Sequence, residues 1–306
     1  MTGVVQVQPE VASALADRKP VVALESTIIT HGMPWPENLD MARRVEGDLR
    51  DEGAVPATIA VMGGQVRVGL DETSLEALAQ TPDAMKLSRA DLGACIATGR
   101  SGATTVAATM ICAARAGIEV FATGGIGGVH RGAETSFDIS ADLQELARSP
   151  VTVVCAGAKA ILDLPKTLEV LETLGVPMVA YGQDALPAFW SRDAGLTAPL
   201  RCDSPAEVAQ MIAARRALDL AGGVLIANPI PESAEIPHDT LAPLIAQAQQ
   251  DADAKGIIGK ALTPFLLARL AELTDGRSLT SNIALVRHNA RLAARIAAAI
   301  VREGGR

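Results

Sequence analysis

Short runs of apolar, β-branched residues recur along the chain at Val21–Leu24, 58–62, 118–122, 151–155, Met178–Tyr181 and Val224–Ala227. Most are separated by alanine-rich stretches whose apolar positions fall three or four apart. Runs of four or five such residues suit strands buried on both faces, and the intervening 3.6-residue period suits helices. The alternation therefore predicts a largely parallel sheet covered by helices. The helical pattern covers residues 38–52, 104–116, 165–174, 205–220, 240–255, 264–273 and 281–302. Thr104 or Thr105 is placed to cap the second of these and Gly117 to stop it. Gly63 and Gly64 predict a hairpin that turns residues 66–68 back onto the strand at 58–62. No linker, repeat or low-complexity tract interrupts the pattern. The expected fold is one α/β/α sandwich-like domain over residues 1–306, with a largely parallel central sheet and a helical C-terminal part that packs on the sheet or on a neighbouring subunit.

Composition narrows the partners. With 306 residues and 49% hydrophobic content the chain can fill a full core. Acidic residues outnumber basic ones, 35 to 27, and aromatics are only 2%, so neither a phosphate-tracking basic face nor stacking platforms for bases are expected. A nucleic-acid polymer is thus an unexpected partner, whereas a nucleotide-sized molecule needs only a local pocket. No run of about 18 apolar residues and no signal-like N-terminus occurs, so no membrane association is expected and the expected location is cytoplasmic. Cys95, Cys112, Cys155 and Cys202 lie far apart without metal-like spacing, as reduced core thiols do.

The densest chemistry lies between Phe121 and Asp163. The run at 118–122 leads into TGGIGG, where glycines let backbone N–H groups close on an anion, although such turns also serve only as tight connections. Tested from Gly125, the dinucleotide fingerprint fails, because His130 stands at its last position. Lys159 follows the run at 151–155 among Ala, Gly, Ile and Leu. It is either a desolvated amine able to form a Schiff base or a lysine whose ammonium reaches the surface. Glu25 ends the strand VVALE with hydroxyls at Ser26 and Thr27 beside it. In an open α/β sheet ligands gather beyond the carboxyl ends of strands, so Glu25 is a candidate proton donor raised by partial burial, or else a capping or salt-bridged glutamate. Pro34 and Pro36 stiffen the loop that follows.

Lys86, with Arg89 three residues on, is a candidate cation for phosphate or a solvated surface lysine, and Thr104 and Thr105 offer hydroxyls and N–H groups at a helix start. Asp138 and Asp142 form a weak signal for a hard divalent ion that keeps several waters. His130 suits a metal, a phosphate or a loop hydrogen bond, and Asn282 reads as a helix-start residue.

The segments ALESTIITHGMPWPEN, KLSRADL, GATTVAATM, FATGGIGGVHRGAETSFDISADL, VVCAGAKAILD, NPIPE, GKALTPFLLARLAELT and SNIALVRHNA resemble, in order, those of the pseudouridine-5'-phosphate glycosidase family, once grouped with indigoidine synthase A-like proteins. The likeness spans residues 21–299. It implies a lyase that reversibly cleaves the C–C glycosidic bond of pseudouridine 5'-phosphate to uracil and ribose 5-phosphate, a homotrimer, and one divalent metal per subunit, typically Mn2+. Carried onto this chain, the resemblance makes Lys159 the nucleophile and Glu25 the proton donor. It has Lys86, Val106, Ser140, Ala141 and Asp142 bind substrate, Asp138 bind metal, and Thr123, His130 and Asn282 complete the pocket. Two other classes share these features: a Schiff-base lyase or aldolase acting on another sugar phosphate, and a sugar-phosphate-binding regulator without turnover.

Overall fold

A computed structural model describes residues 3–304. Its strands are β1 Val5–Val7, β2 Val21–Leu24, β3 Val55–Met62, β4 Gln65–Val68, β5 Met85–Leu87, β6 Gly102–Thr104, β7 Val120–Ala122, β8 Thr152–Cys155, β9 Met178–Tyr181, β10 Leu200–Cys202 and β11 Val224–Ala227. The helices are α1 Pro9–Ala16, α2 Thr27–Thr30, α3 Glu37–Asp51, α4 Glu72–Ala79, α5 Arg89–Ala97, α6 Val106–Ala116, α7 Ala133–Ser136, α8 Ala141–Leu146, α9 Leu164–Thr173, α10 Pro205–Ala217, α11 His238–Ala254, α12 Leu262–Leu273 and α13 Arg277–Glu303.

The main sheet runs β3-β2-β7-β8-β11-β9-β10, every neighbour parallel. β2, β8 and β11 are buried along their whole length, which is why they read as continuous apolar runs and not as alternation. β3 is longer than its neighbour and serves two sheets. Residues 55–58 pair with β2, while residues 59–62 pair antiparallel with β4, and β6 joins antiparallel at Ala60 and Val61. The hairpin expected at Gly63-Gly64 is this β3-β4 turn, and Gly63 and Gly64 take left-handed φ values of 57° and 75° that its geometry requires. β6 carries β5 in turn, which brings Lys86 toward the mouth of the main sheet.

The strand order reverses at β2. The chain steps from β2 outward to β3, then returns on the other side of β2 with β7, so the crevice between β2 and β7 is the switch point where ligands bind in open α/β sheets.

Helices cover the sheet. α13 packs on β2, β7 and β8 and lies between α3 and α10, while α6 packs with α8 and α5 and touches β2, β3 and β7. Leu285, Ala293, Ile296 and Ile300 on α13 are buried at helical spacing. Each of the larger aliphatic side chains there contributes about 1.5–3 kcal/mol. Ion pairs fasten the same helix: Asp48 of α3 accepts from Arg287 Nε at 2.7 Å and Arg291 Nη2 at 2.6 Å.

α6 begins at Val106, two residues later than the pattern suggests. Thr104 belongs to β6, where its hydroxyl donates to Ile59 O at 2.7 Å. Thr105 is the cap, its hydroxyl accepting from Ala108 N, and Gly117 ends the helix in the left-handed region. The four cysteines are free and buried, and burial pushes the Cys112 and Cys155 thiols up to about 12.

Candidate active site

Glu25 is the first residue past β2, and Thr123 is the first past β7. Their side chains meet across the switch-point crevice. The Thr123 hydroxyl donates to Glu25 Oε1 and the Thr27 hydroxyl, from the first turn of α2, donates to Oε2. Both oxygens are thereby held and the carboxyl plane is fixed. Thr123 is itself fixed from behind, because the buried Asn289 of α13 donates its amide to Thr123 O at 2.9 Å and accepts from Asn228, the residue after β11, at 3.0 Å. Ser26 takes no part. Its hydroxyl donates to Ile59 O at 2.7 Å and accepts from Thr104 N at 2.9 Å, stitching β2 to β3 and β6.

Beyond these residues lies a cavity of about 280 Å³ that gathers Glu25, Lys86, Val106, His130, Ser140, Ala141, Asp142 and Lys159. A smaller compartment of about 70 Å³ adjoins it, shares Glu25, Lys86 and Lys159, and adds His31, Phe189 and Asn282. Thr123 lines neither; it faces an apolar recess that also touches Glu25. Asp138 lines none of the three.

Lys159 follows β8 by four residues. A parallel bridge between Ile126 and Ala158 and its own N–H donated to Ile126 O at 3.1 Å hold it against the glycine turn. Ala158, Ile161 and Leu162 around it are buried. Among the described residues no hydrogen bond or ion pair engages its ammonium, so the amine is free to meet a ligand. Lys86 makes one long contact, to Lys260 O at 3.4 Å. Burial, then the neighbouring Lys159 cation, push Lys86 below the usual lysine range. Lys260 also lines the cavity and pairs with Asp91 at 2.7 Å. Three lysines thus face one pocket of a chain whose net charge is −8. Lys86 and Lys159 have no carboxylate partner within ion-pair distance among the described residues, which suits an anionic ligand.

The glycine turn closes on an anion, but the anion is internal. Gly127 N donates to Asp142 Oδ2 at 2.8 Å and Ala107 N to Asp142 Oδ1 at 2.9 Å, so the buried Asp142 joins the turn to the start of α6. Val106 and Ala141, at the first positions of α6 and α8, also line the cavity. Arg89 is likewise committed elsewhere, paired through two hydrogen bonds of 2.7 and 2.9 Å to the buried Glu145. Thr104 is turned into the sheet, and only Thr105 of that pair reaches the cavity.

His130 and Asp138 sit side by side because an antiparallel bridge joins Val129 to Ile139 and His130 N donates to Asp138 O at 3.0 Å. Burial lowers the His130 pKa, Asp138 opposes, and Lys159 and Lys86 add to the lowering. Among the described residues no three His, Cys, Asp or Glu side chains converge into a cage. With both Asp142 oxygens taken, Asp138 with His130 is the donor pair left, and two protein donors with open positions for water suit a magnesium- or manganese-type ion. Asn282 lines the smaller compartment with a buried Oδ1 that has no partner among the described residues. A buried acceptor of that kind awaits a donor.

His31, Ser88, Lys260 and Asn289 line or support the site without standing among the residues expected from sequence. Asn289 had a visible signal, an amide side chain set among the buried Leu285, Val286, Ala290, Leu292 and Ala293 of α13. Lys260 had none, since only the path of the chain between α11 and α12 carries it to the cavity.

A doubly wound sheet with a clamped glutamate and an unpaired lysine at its switch point defines an α/β protein built to hold a small anionic ligand. Over residues 10–299 the chain matches the family described as indigoidine synthase A like protein, and it belongs to that family. It is 70% identical over 302 residues to the pseudouridine-5'-phosphate glycosidase of Paracoccus denitrificans, covering 98% of this chain and 99% of that one. It is also 70% identical over 292 residues to the protein of that name from Jannaschia sp., covering 95% and 97%. Among solved structures it is similar to the prealnumycin C-glycosynthase AlnA in complex with ribulose 5-phosphate, with TM-score 0.92, 40% identity and coverage of 99% and 98%. It is similar as well to an indigoidine synthase A-like protein from Thermotoga maritima, with TM-score 0.89, 36% identity and coverage of 98% and 97%.

Proposed function

We propose that this protein reversibly cleaves pseudouridine 5'-phosphate to uracil and ribose 5-phosphate through a Schiff base on Lys159. The observation that carries the reading is the pairing of an unengaged lysine with a glutamate held on both oxygens, in one cavity at the switch point. The names of the relatives supply the substrate, and the sugar phosphate held by AlnA supports its class.

Two-carboxylate glycosidases protonate a leaving oxygen. Here the leaving atom is a carbon, so protonating an oxygen of the base does not release it. Glu25 protonates the ribose ring oxygen and the ring opens. Lys159 then adds at C1', and its nitrogen lone pair forms the C=N bond as C1'–C5 breaks and C5 gains a proton. Water hydrolyses the imine and frees the sugar. Phosphate sits among Lys86, Ser140 and the leading amides of α6 and α8, and its binding energy keeps the opened sugar in register. The base occupies the smaller compartment, where Asn282 Oδ1 accepts one of its N–H groups.

Asp138 and His130 would hold the divalent ion, Mn2+ by resemblance, with water filling its other positions. Held there, such an ion would supply positive charge that favours an anionic substrate. The assembly is proposed as a homotrimer. Trp35, Phe137, Ile139 and Ile258 are large apolar residues at the surface that an assembly would cover.

The test is incubation with pseudouridine 5'-phosphate and manganese while free uracil is measured. Borohydride added with ribose 5-phosphate should then fix the sugar to Lys159. Lys159→Arg should be inactive, since a guanidinium stays protonated and cannot attack. No uracil, or sugar mapped to another lysine, overturns the reading.

A further inference from the structure

We propose that His31 is a catalytic residue of this reaction, carrying one proton from the Lys159 nitrogen to C5 of the departing base. The inference rests on the reaction proposed above.

The reaction contains a proton problem. When Lys159 adds to C1' its nitrogen becomes a secondary ammonium, and it has no lone pair to push until one proton leaves. C5 must meanwhile gain one proton. The C5=C6 electron pair forms the new C5–H bond, the freed nitrogen lone pair then forms C1'=N, and the C1'–C5 pair returns to C5=C6. One proton therefore moves from nitrogen to C5 without any external acid. The carrier must be neutral at the start and must share a compartment with both atoms.

Four titratable side chains line the compartment assigned to the base: Glu25, His31, Lys86 and Lys159. Lys159 is the nucleophile. Glu25 is held by Thr27 and Thr123 and serves the ring oxygen. Lys86 faces the larger cavity as well and belongs to the phosphate. His31 remains, and its one side-chain hydrogen bond among the described residues is to its neighbour Thr30.

The imidazole is also anchored at one nitrogen. Its Nδ1 lies 2.5 Å from the Thr30 hydroxyl, which reaches weakly to Ser26 O at 3.5 Å. With the hydroxyl proton directed at that carbonyl, Thr30 accepts Nδ1–H, and the Nε2 lone pair is the base. The loop just after the ring is fixed by close packing, since a Cβ at Gly32 would stand 3.1 Å from Ile28 Cα. Partial burial, then the Lys86 cation, lower the His31 pKa, so the ring starts neutral near pH 7. The residue lines the compartment and is at the same time exposed to solvent.

The experiment uses the full chain with His31→Gln and His31→Ala, and two readouts. Uracil release from pseudouridine 5'-phosphate requires proton delivery to C5. Borohydride trapping of ribose 5-phosphate on Lys159 does not. The expected result is a loss of about 10²-fold or more in uracil release, with trapping at the wild-type level. Free imidazole, which can enter from the open side, should restore release in His31→Ala in proportion to its concentration. Unchanged release would give the proton to Glu25 or Lys86, and a parallel fall in trapping would make His31 part of the loop's packing; either overturns the proposal. Wild-type protein that traps ribose 5-phosphate yet releases no uracil overturns the proposed substrate first, and His31's role with it.

Discussion

Gly127 gives its backbone N–H to Asp142 Oδ2 at 2.8 Å, and the other oxygen of that carboxylate takes the N–H of Ala107 at 2.9 Å. One buried side chain therefore ties the glycine turn after β7 to the start of α6, and both border the cavity that holds Lys159. Residue 127 has to be glycine for this contact, because a Cβ there would stand 2.6 Å from Ser140 Cβ and 2.9 Å from Asp142 Oδ2. Gly127→Ala should cost about 1–3 kcal/mol of stability, the usual range for overpacking. It should also raise KM for the phosphorylated substrate, since the clash pushes on Ser140. Calorimetry and steady-state kinetics check both, and an unshifted melting temperature would mean that the turn relaxes freely.

Much of this was legible in the sequence, and the exceptions share a cause. β2, β9 and β11 stand where their apolar runs place them, because strands buried on both faces leave no ambiguity of period. β1, β5, β6 and β10 have three residues each, too few to display a period, and their pairing partners are distant in sequence. Thr104 looked like a helix start because a threonine followed by an apolar run is a capping pattern, yet pairing with β5 claimed it for a strand. The TGGIGG turn reads as a site for a ligand anion such as phosphate, whereas its Gly127 N–H goes to the chain's own Asp142 carboxylate. Glu25, Lys86 and Lys159 were each recognisable singly. That they share one cavity depends on β3 bending into a second sheet, which no local pattern shows.

Glu25→Gln keeps the size and one accepting oxygen but removes the transferable proton, and the threonine hydroxyl facing the new NH2 must turn to accept. The turnover number should fall by about 10²-fold or more, the scale of a positioned general acid, with KM little changed. Thr123→Val should cost less, since Thr27 still holds Oε2. A normal turnover number with a higher KM in Glu25→Gln would reassign the residue to binding.

Asp48 fixes α3 to α13 through Arg287 and Arg291. Burial alone would raise its pKa, but the hydrogen bonds from both arginines outweigh it and hold the carboxyl below the usual range. A folded-state value below the unfolded one means that the stabilisation is present above the unfolded pKa of about 4 and is lost as pH falls through the folded value. Asp48→Ala should therefore cost about 1–3 kcal/mol at pH 7, with the gap from wild type narrowing below about pH 4. Denaturant melts at pH 7 and pH 3 test this, and a gap that persists at pH 3 would assign the loss to packing.

If Asp138 and His130 hold a divalent ion through few protein donors, affinity should be modest and chelation effective. Excess chelator should strongly reduce uracil release and manganese should restore it. Asp138→Ala should shift the manganese concentration needed for half-activity upward, and direct manganese binding followed by electron paramagnetic resonance should weaken in step. Full activity in excess chelator would remove metal from the account.

Lys86 decides whether the 5'-phosphate matters. It stands on β5 at the cavity wall with only a long contact to Lys260 O, its charge is uncompensated by any carboxylate within ion-pair distance among the described residues, and Lys159 repels it. A phosphate dianion relieves that repulsion and gains charge-assisted hydrogen bonds. Pseudouridine without phosphate should therefore be a poor substrate for the wild type, and Lys86→Ala should lose most of the preference for the nucleotide while still forming the imine with ribose 5-phosphate at high concentration. The measurement is kcat/KM for nucleoside and nucleotide in both proteins. If Lys86→Ala discriminates as sharply as wild type does, then Lys260 with the leading amides of α6 and α8 holds the phosphate alone, and Lys86 instead serves the sugar or the base.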